Sequence, residues 1–182
     1  MMKPIPRHKR LAFDRWFLVI AIAALFAYFP APVLALPLDG QVTAGSGSIT
    51  QSGSAMTVRQ DTSKLSINWR EFGIGANESM RFYQPSASAI ALNRVLGQDP
   101  SRILGCLTAN GQVFILNPNG VIFGQSAQVN VGGLVASSLS LSDQDFLAGR
   151  YTFQKGGIAG DVVNMGSLSS TEGGYIACSL PL

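Results

Sequence analysis

Short apolar runs separated by turn-forming residues constrain the fold of this chain more than any other feature. Between residues 111 and 138 such runs begin at positions 113, 121, 129 and 134, so successive runs start eight, eight and five residues apart. Short runs bounded by Asn, Pro, Gly and Ser are typical of β-strands, and the 20 glycines favour tight turns over long helices. The sequence therefore predicts an all-β fold in which three strands and their turns occupy about 20 residues, the length of one solenoid repeat.

A predicted corner separates the first two of these runs, at Asn117, Pro118, Asn119 and Gly120. Pro118 fixes φ near −65° at the second position of a type I turn, and Gly120 tolerates the strained position after it. A two-residue hairpin would instead favour positive φ at both central positions. The corner redirects the chain without folding it back on its neighbour, which favours a right-handed parallel β-helix with a core of Val, Ile, Leu and Phe.

The same reasoning extends towards the amino terminus. Met56 with Val58, and Leu65 with Ile67 and Trp69, are apolar positions two residues apart and predict further strands. Three segments invite a helical interpretation. Residues 142–149 combine a serine cap, an acid three positions later and a closing glycine, and predict a short helix. Residues 86–96 fit a helix or a strand, and Asp-Pro at 99–100 predicts one helical turn over 99–104.

The first 35 residues have the pattern of an export signal. Five of the 13 basic residues lie in the first 15 positions, and 14 apolar residues follow from Trp16 to Phe29. A membrane span needs about 20 apolar residues, so a signal peptide helix cleaved after Ala35 is favoured over an anchoring helix. We expect a signal peptide at 1–35, a β-helix domain at 36–177 and an atypical tail at 178–182.

Removal of this segment changes which functions the chain could perform. The remaining residues include eight basic and nine acidic side chains, so no basic surface is predicted for nucleic acid. His8, the only histidine, is lost as well. The mature chain therefore has no imidazole for a catalytic triad or a metal site, and we expect no cofactor.

Motifs spread along the chain resemble those of the amino-terminal secretion domain of filamentous haemagglutinins. That domain belongs to the exoproteins of two-partner secretion and is also called the haemagglutination-activity domain. The matching segments are 40–49 (GQVTAGSGSI), 67–69 (INW), 72–75 (FGIG), 81–82 (RF), 84–87 (QPSA), 91–94 (ALNR), 103–105 (ILG), 109–121 (ANGQVFILNPNGV), 130–137 (NVGGLVAS) and 146–151 (FLAGRY).

The resemblance implies a right-handed parallel β-helix with an amino-terminal cap. It also implies export through the secretory translocon, cleavage by signal peptidase, and recognition by an outer-membrane two-partner transporter with periplasmic polypeptide-binding domains. Secreted or cell-surface adhesins carry such domains, so a host surface is a further possible partner. The family's long passenger and its second Asn-Pro-Asn motif are missing here, and the residues after Ala177 depart from its pattern. These departures predict a truncated chain.

The sequence leaves two interpretations open for several residues, one functional and one structural. Asn117 to Gly120 could contact the transporter or form only a structural corner, and the turn chemistry favours the corner. An adhesin that binds host glycan or protein directly is the alternative function. A polysaccharide-degrading β-helix enzyme would use Asp143, Asp145 or Asp161, but the sequence shows no matched catalytic pair and we predict no enzyme. Cys106 and Cys178 could form a disulfide, but two free thiols are favoured, because the closed loop would obstruct passage through a transporter pore.

Overall fold

The computed structural model describes residues 35–157 and 159–179, in which β-strands and the turns between them predominate and helix is limited to one short segment. Within them no helix has the length and apolar content needed to cross a membrane. The predicted signal segment, apart from Ala35, lies outside the described residues. The elements are β1 (Gln41–Ala44), β2 (Gly47–Ser52), β3 (Ala55–Gln60), β4 (Lys64–Trp69), β5 (Ser79–Tyr83), β6 (Ile90–Val95), β7 (Ser101–Ile103), β8 (Cys106–Ala109), β9 (Gln112–Leu116), β10 (Val121–Phe123), β11 (Gln128–Ser137), α1 (Asp143–Leu147), β12 (Val162–Asn164) and β13 (Ser167–Ser179).

A first column of parallel strands contains β3, β5, β8 and the first halves of β11 and β13. The register places one apolar side chain from each strand directly above the previous one. This row consists of Met56, Met80, Leu107, Val129 and Leu168. Its first four members are buried in the interior core, and Leu168 packs against that core. The strands therefore stack in register because the same side-chain position repeats in each coil.

A second column is built from β4, β6, β9 and the second halves of β11 and β13, again all parallel. Its inward row consists of Leu65, Ala91, Val113, Leu134 and Ile176. A third column pairs β7 with β10 and β10 with β12, and a bridge between Ile74 and Ile103 extends it by one position. Each coil of the chain thus passes through three columns in the same order.

The strand predictions at residues 56–58, 65–69, 113–116 and 121–123 are confirmed, as is the short helix α1 with Ser142 as its cap. The runs at 129–131 and 134–136 form one strand, β11, because pairing with β8 and β9 continues across Gly132 and Gly133. The helical turn predicted over 99–104 is wrong, since residues 101–103 form β7. Pairing of this segment with β10 outweighs the local Asp-Pro signal for a helix start. The ambiguous segment 86–96 contains strand β6, because it lies between β4 and β9 in the second column.

The amino-terminal end is covered by antiparallel strands. β2 pairs with β3, and β1 pairs with β4, both in antiparallel orientation. The first strand of each of the two columns is therefore covered by an antiparallel strand. Trp69 lies beneath this cover with 1% of its surface exposed, and its indole packs edge-on against Phe72. Its indole N–H donates to the buried amide oxygen of Asn93 one coil later, at 3.0 Å. The cap therefore closes one end of the core and fixes its largest side chain.

A second apolar cluster lies on the outer face of the second column. The members contributed by the strands alternate with the inward row, as the period of two requires. α1 and its flanking loop cover this outer face with Leu141 and the fully buried Phe146. The cluster contains Ile90, Leu92, Phe114, Leu116, Val135, Leu141 and Phe146. Both faces of the second column are therefore buried, which explains its nearly continuous apolar strands.

Candidate recognition surface

The Asn-Pro-Asn-Gly segment forms a tight turn between β9 and β10. The backbone N–H of Gly120 donates to the carbonyl of Asn117 at 2.9 Å, which places Pro118 at the second position of the turn, as predicted. Gly120 has a φ of 107°, in the region that favours glycine. The chain passes from the second column to the third through this turn and does not reverse direction.

The side chain of Asn117 holds the turn against the preceding coil. Its amide donates to the carbonyl of Asp99 at 2.9 Å and to the hydroxyl of Ser101 at 3.0 Å. Its oxygen accepts the backbone N–H of Asn119 at 2.9 Å. Asn117 has no exposed surface. The buried amide of this residue therefore shapes the corner.

The following coil clamps the other side of the turn. Gly160 donates its N–H to the carbonyl of Pro118 at 2.7 Å, and a Cβ at Gly160 would lie 2.1 Å from the carbonyl oxygen of Asn119. Asn119 also donates its side-chain amide to the carbonyl of Gly97 at 2.8 Å. Pro118 and Asn119 are exposed, whereas Asn117 and Gly120 are buried. Of the four predicted residues, these two alone present a surface at this corner.

A ladder of amide side chains at the junction of the first two columns was not predicted. The Gln84 side chain donates to the Gln60 oxygen at 3.0 Å and to the Gln112 carbonyl at 3.1 Å. The Asn110 side chain exchanges two hydrogen bonds of 2.7 Å with the backbone of Gln84. Amides at or just after the ends of successive first-column strands, 24 and 26 residues apart, are the sequence signal that could have revealed this ladder.

A shallow groove of about 290 Å³ crosses the outer face of the first column. Arg81 lies in it and donates to the phenol of Tyr83 at 3.1 Å and to the hydroxyl of Thr108 at 3.2 Å. Hydrogen bonding to Tyr83 raises the pKa of the Arg81 guanidinium. Tyr83 is 49% exposed. The groove therefore presents the positive charge of Arg81, held by two hydrogen bonds, beside an aromatic ring.

The acidic residues considered for catalysis occupy structural positions. Asp143 accepts hydrogen bonds from Ser66 at 2.8 Å and from Arg94 at 3.0 Å. Partial burial raises the pKa of Asp143, but these hydrogen bonds outweigh that effect and hold its pKa below the ordinary value. Asp145 pairs with Arg150 at 2.8 Å. Asp143 thus ties α1 to β4 and β6, whereas Asp145 contacts only residues next to the helix, and the structure does not bring the two together with Asp161 into one site.

Cys106 and Cys178 are free thiols, as the sequence predicts. Across residues 35–157 and 159–179 no three side chains of His, Cys, Asp or Glu form a group that could hold a metal ion.

The last described strand has one open edge. β13 pairs in parallel with β11 over both of its halves, and in the part of the chain that the structure describes no strand lies on its other side. Ser167 donates its N–H to the carbonyl of Ala127 on the β11 side, so by alternation the N–H of Ser170 points towards the open edge. This edge offers unpaired backbone donors and acceptors to another strand.

Residues 35–179 match the protein family described as the TPS secretion domain. Over 126 residues the chain is 41% identical to a heme/hemopexin-binding protein of Haemophilus influenzae, a match that covers 68% of this chain and 14% of that protein. A second heme/hemopexin-binding protein of Haemophilus influenzae is 43% identical over 100 residues, covering 55% of this chain and 11% of the relative. The chain therefore spans a small part of the length of these relatives.

A solved structure is similar as well. The crystal structure of the HMW1 secretion domain from Haemophilus influenzae superposes with a TM-score of 0.68 at 32% sequence identity. The superposition covers 71% of this chain and 35% of that one.

Proposed function

This chain belongs to the family of TPS secretion domains, and from that premise we propose that a cognate outer-membrane transporter recognises it in the periplasm. The observation that carries the proposal is the family match over residues 35–179, supported by the structural similarity to the HMW1 secretion domain. The family is one of two-partner secretion exoproteins, so the role is export of the polypeptide.

The proposed route begins at the signal peptide of residues 1–35. The secretory translocon carries the chain across the inner membrane, and signal peptidase cleaves after Ala35. The transporter then moves the chain from the periplasm to the cell surface or beyond. The domain supplies no cofactor and no bond-making chemistry of its own, since its task is recognition of one polypeptide by another.

The proposed fold in the exported state is a right-handed parallel β-helix with an amino-terminal cap. Three columns of parallel strands, visited in the same order by each coil, support this proposal. The right hand follows from the general preference of crossover connections between parallel strands. Coil-on-coil stacking outside the cell would then favour outward movement. Each added coil buries apolar surface, and this burial stabilises the folded chain by about 25 cal/mol per Å².

Strand addition is the proposed mode of recognition. The open edge of β13 carries unpaired backbone N–H and C=O groups. A strand from the transporter's periplasmic domains would form hydrogen bonds with these groups. The exposed pair Pro118 and Asn119 and the groove at Arg81 are further surfaces that such a partner could contact. Asn117 and Gly120 contribute indirectly, because they hold the corner in its shape.

The direct test is capture of the processed chain by the immobilised periplasmic domains of its transporter. We expect Ser170→Pro to weaken capture at least about tenfold, because it removes one outward N–H without removing a bond to β11. Ser169→Pro is the matched variant, since its N–H faces β11 and its loss should instead destabilise the fold. Pro118→Ala together with Asn119→Ala tests the corner surface.

A chain of scrambled sequence is the negative control for this experiment. Capture of the wild-type chain no better than that control would contradict transporter recognition itself. Full capture of Ser170→Pro, with a circular dichroism spectrum like that of the wild type, would retain recognition and exclude strand addition at this edge.

A further inference from the structure

Glu78 is a buried carboxylate at the amino-terminal end of the coil stack. It closes a tight turn in which its own N–H donates to the carbonyl of Gly75 at 2.9 Å. The residue is 7% exposed and immediately precedes β5. Burial of an ionised carboxylate is costly unless hydrogen bonds and an opposite charge compensate for it. The groups around Glu78 therefore indicate what it binds.

Two backbone N–H groups reach this carboxylate. Gly75 donates to one oxygen at 2.7 Å. Ala35 donates to both oxygens, at 2.9 Å and 3.1 Å. Among the described residues no lysine or arginine nitrogen lies within 4.0 Å of Glu78. Among residues 35–157 and 159–179 the carboxylate thus has only neutral donors, and no opposite charge balances it there.

The segment that begins at Ala35 is held firmly beside Glu78. Leu36 is buried in the interior core with 2% of its surface exposed. Leu38 donates its N–H to the carbonyl of Glu71 at 2.9 Å. A Cβ at Gly73 would lie 2.6 Å from the carbonyl oxygen of Ala35, so glycine permits the close approach of the two backbones. The contacts of Leu36 and Leu38 remain when the chain up to Ala35 is removed, whereas the contact of the Ala35 carbonyl with Gly73 is lost.

Cleavage after Ala35 would change the chemistry at this point. Water adds across the Ala35–Leu36 peptide bond, which leaves a carboxylate on Ala35 and an amine on Leu36. That amine takes up a proton, since the ordinary pKa of an α-amino group is about 7.7 to 8.0. Consecutive Cα atoms are about 3.8 Å apart, so the nitrogen of Leu36 lies within one residue of the nitrogen that Glu78 now binds.

We propose that Glu78 is the receptor for the α-ammonium group that signal-peptide cleavage creates at Leu36. The ammonium replaces the N–H of Ala35 and supplies the positive charge that the buried carboxylate lacks. The ion pair then fixes the amino terminus against the start of β5. This inference rests on the export route proposed above. Its consequence is that removal of the signal peptide stabilises the folded domain, because the precursor lacks the ion pair between Glu78 and the Leu36 ammonium.

The test compares the full-length precursor with the processed chain, each as wild type and as Glu78→Gln. Mass spectrometry of the processed chain establishes its first residue. We expect Glu78→Gln to raise the unfolding equilibrium constant in urea by roughly tenfold to a hundredfold in the processed chain, and by much less in the precursor. Glu71→Gln is the matched control, because that carboxylate lies at the same end of the domain but is exposed.

A second readout follows the new amine directly. In the processed wild type, acylation of the α-amine near pH 7 should be at least about tenfold slower in the native state than in urea, because the ion pair keeps it protonated. In processed Glu78→Gln that difference should largely disappear. This measurement on the wild type remains informative if the variant fails to fold.

Three results would overturn the inference. They are an equal effect of Glu78→Gln on precursor and processed chain, equal acylation rates in native and unfolded wild type, or a processed chain that begins at a residue other than Leu36. None of them bears on capture by the transporter's periplasmic domains. Failure of this inference and failure of the proposed function are therefore distinguishable.

Discussion

The two ends of the coil stack carry similar strands in opposite environments. At the amino-terminal end, β1 and β2 cover the first coil, and Leu65 of the second column has no exposed surface. At the carboxyl-terminal end, Ile176 occupies the same register row and is 40% exposed. Met165, just before β13, is 54% exposed. Burial in this fold therefore depends on whether a neighbouring coil or cap is present, more than on the residue itself.

The largest contrast between the two ends should appear when a large apolar side chain is truncated. We expect Trp69→Ala under the cap to reduce the free energy of unfolding by about 3 to 5 kcal/mol, because it leaves a cavity and an unpaired Asn93 oxygen. Ile176→Ala at the open end should cost less than about 1 kcal/mol. Urea denaturation of both variants measures the difference, and equal losses would show that the open end is covered in solution.

The Asn117 corner lies between the two ends. Because Asn117 is buried, its substitution should destabilise the fold, as substitution at the covered amino-terminal end does. Asn117→Ala removes two bonds to the preceding coil and two within the turn, and we expect it to cost about 2 to 3 kcal/mol. Asn119→Ala, at the exposed position, should cost about 1 kcal/mol or less. The same denaturation series measures both, and the reverse order would contradict a structural role for the buried amide.

A smaller effect links the cap region to α1 through Asp143, which contacts Ser66 of β4. The pKa of Asp143 is lowered in the folded state, so its contribution is present above its unfolded pKa and is lost as pH falls through the lower, folded value. Since the side chain is 37% exposed, we expect no more than about 1 kcal/mol. Unfolding measured between pH 6 and pH 3, values chosen to span the ordinary aspartate pKa of about 3.9, should show this loss in the wild type, and Asp143→Asn should lack that part of it.

The smallest expected effect is at the open end. Met165→Ser should change the free energy of unfolding by no more than about 0.5 kcal/mol, because the side chain is already exposed. Met80→Ser, at a fully buried position of the first column, is the contrasting variant and should be strongly destabilising. A loss for Met165→Ser that approaches the loss for Met80→Ser would remove the distinction between the two ends.

Much of the fold was predictable because its signals are local. Period-two alternation identified the strands around Met56 and Leu65, and an apolar run bounded by turn residues identified the strand at Val113. Pro118 with Gly120 identified the corner. The cap serine and closing glycine identified α1. The helical turn predicted at 99–104 was wrong because the local Asp-Pro signal contains no information about the neighbouring strand β10. Residues 86–96 stayed ambiguous for the same reason.

In the candidate site, too, local features were predictable and contacts between distant residues were not. The sequence indicated Asn117 to Gly120 as a group, but the structure separates them into two buried and two exposed residues. The ladder through Gln84 and Asn110 depends on contacts between residues more than 20 positions apart, so alternation within one strand does not reveal it.

The sequence by itself determined the repeating unit: short strands, glycine-bearing corners and side chains that alternate between two faces. These are properties of a few neighbouring residues and their allowed dihedral angles. The tertiary structure alone decided which copies of that unit are buried, which carboxylate lies beside the nitrogen of Ala35, and where α1 packs. The reason is that burial and charge pairing arise between coils, where the partners are distant in the chain and only stacking brings them together.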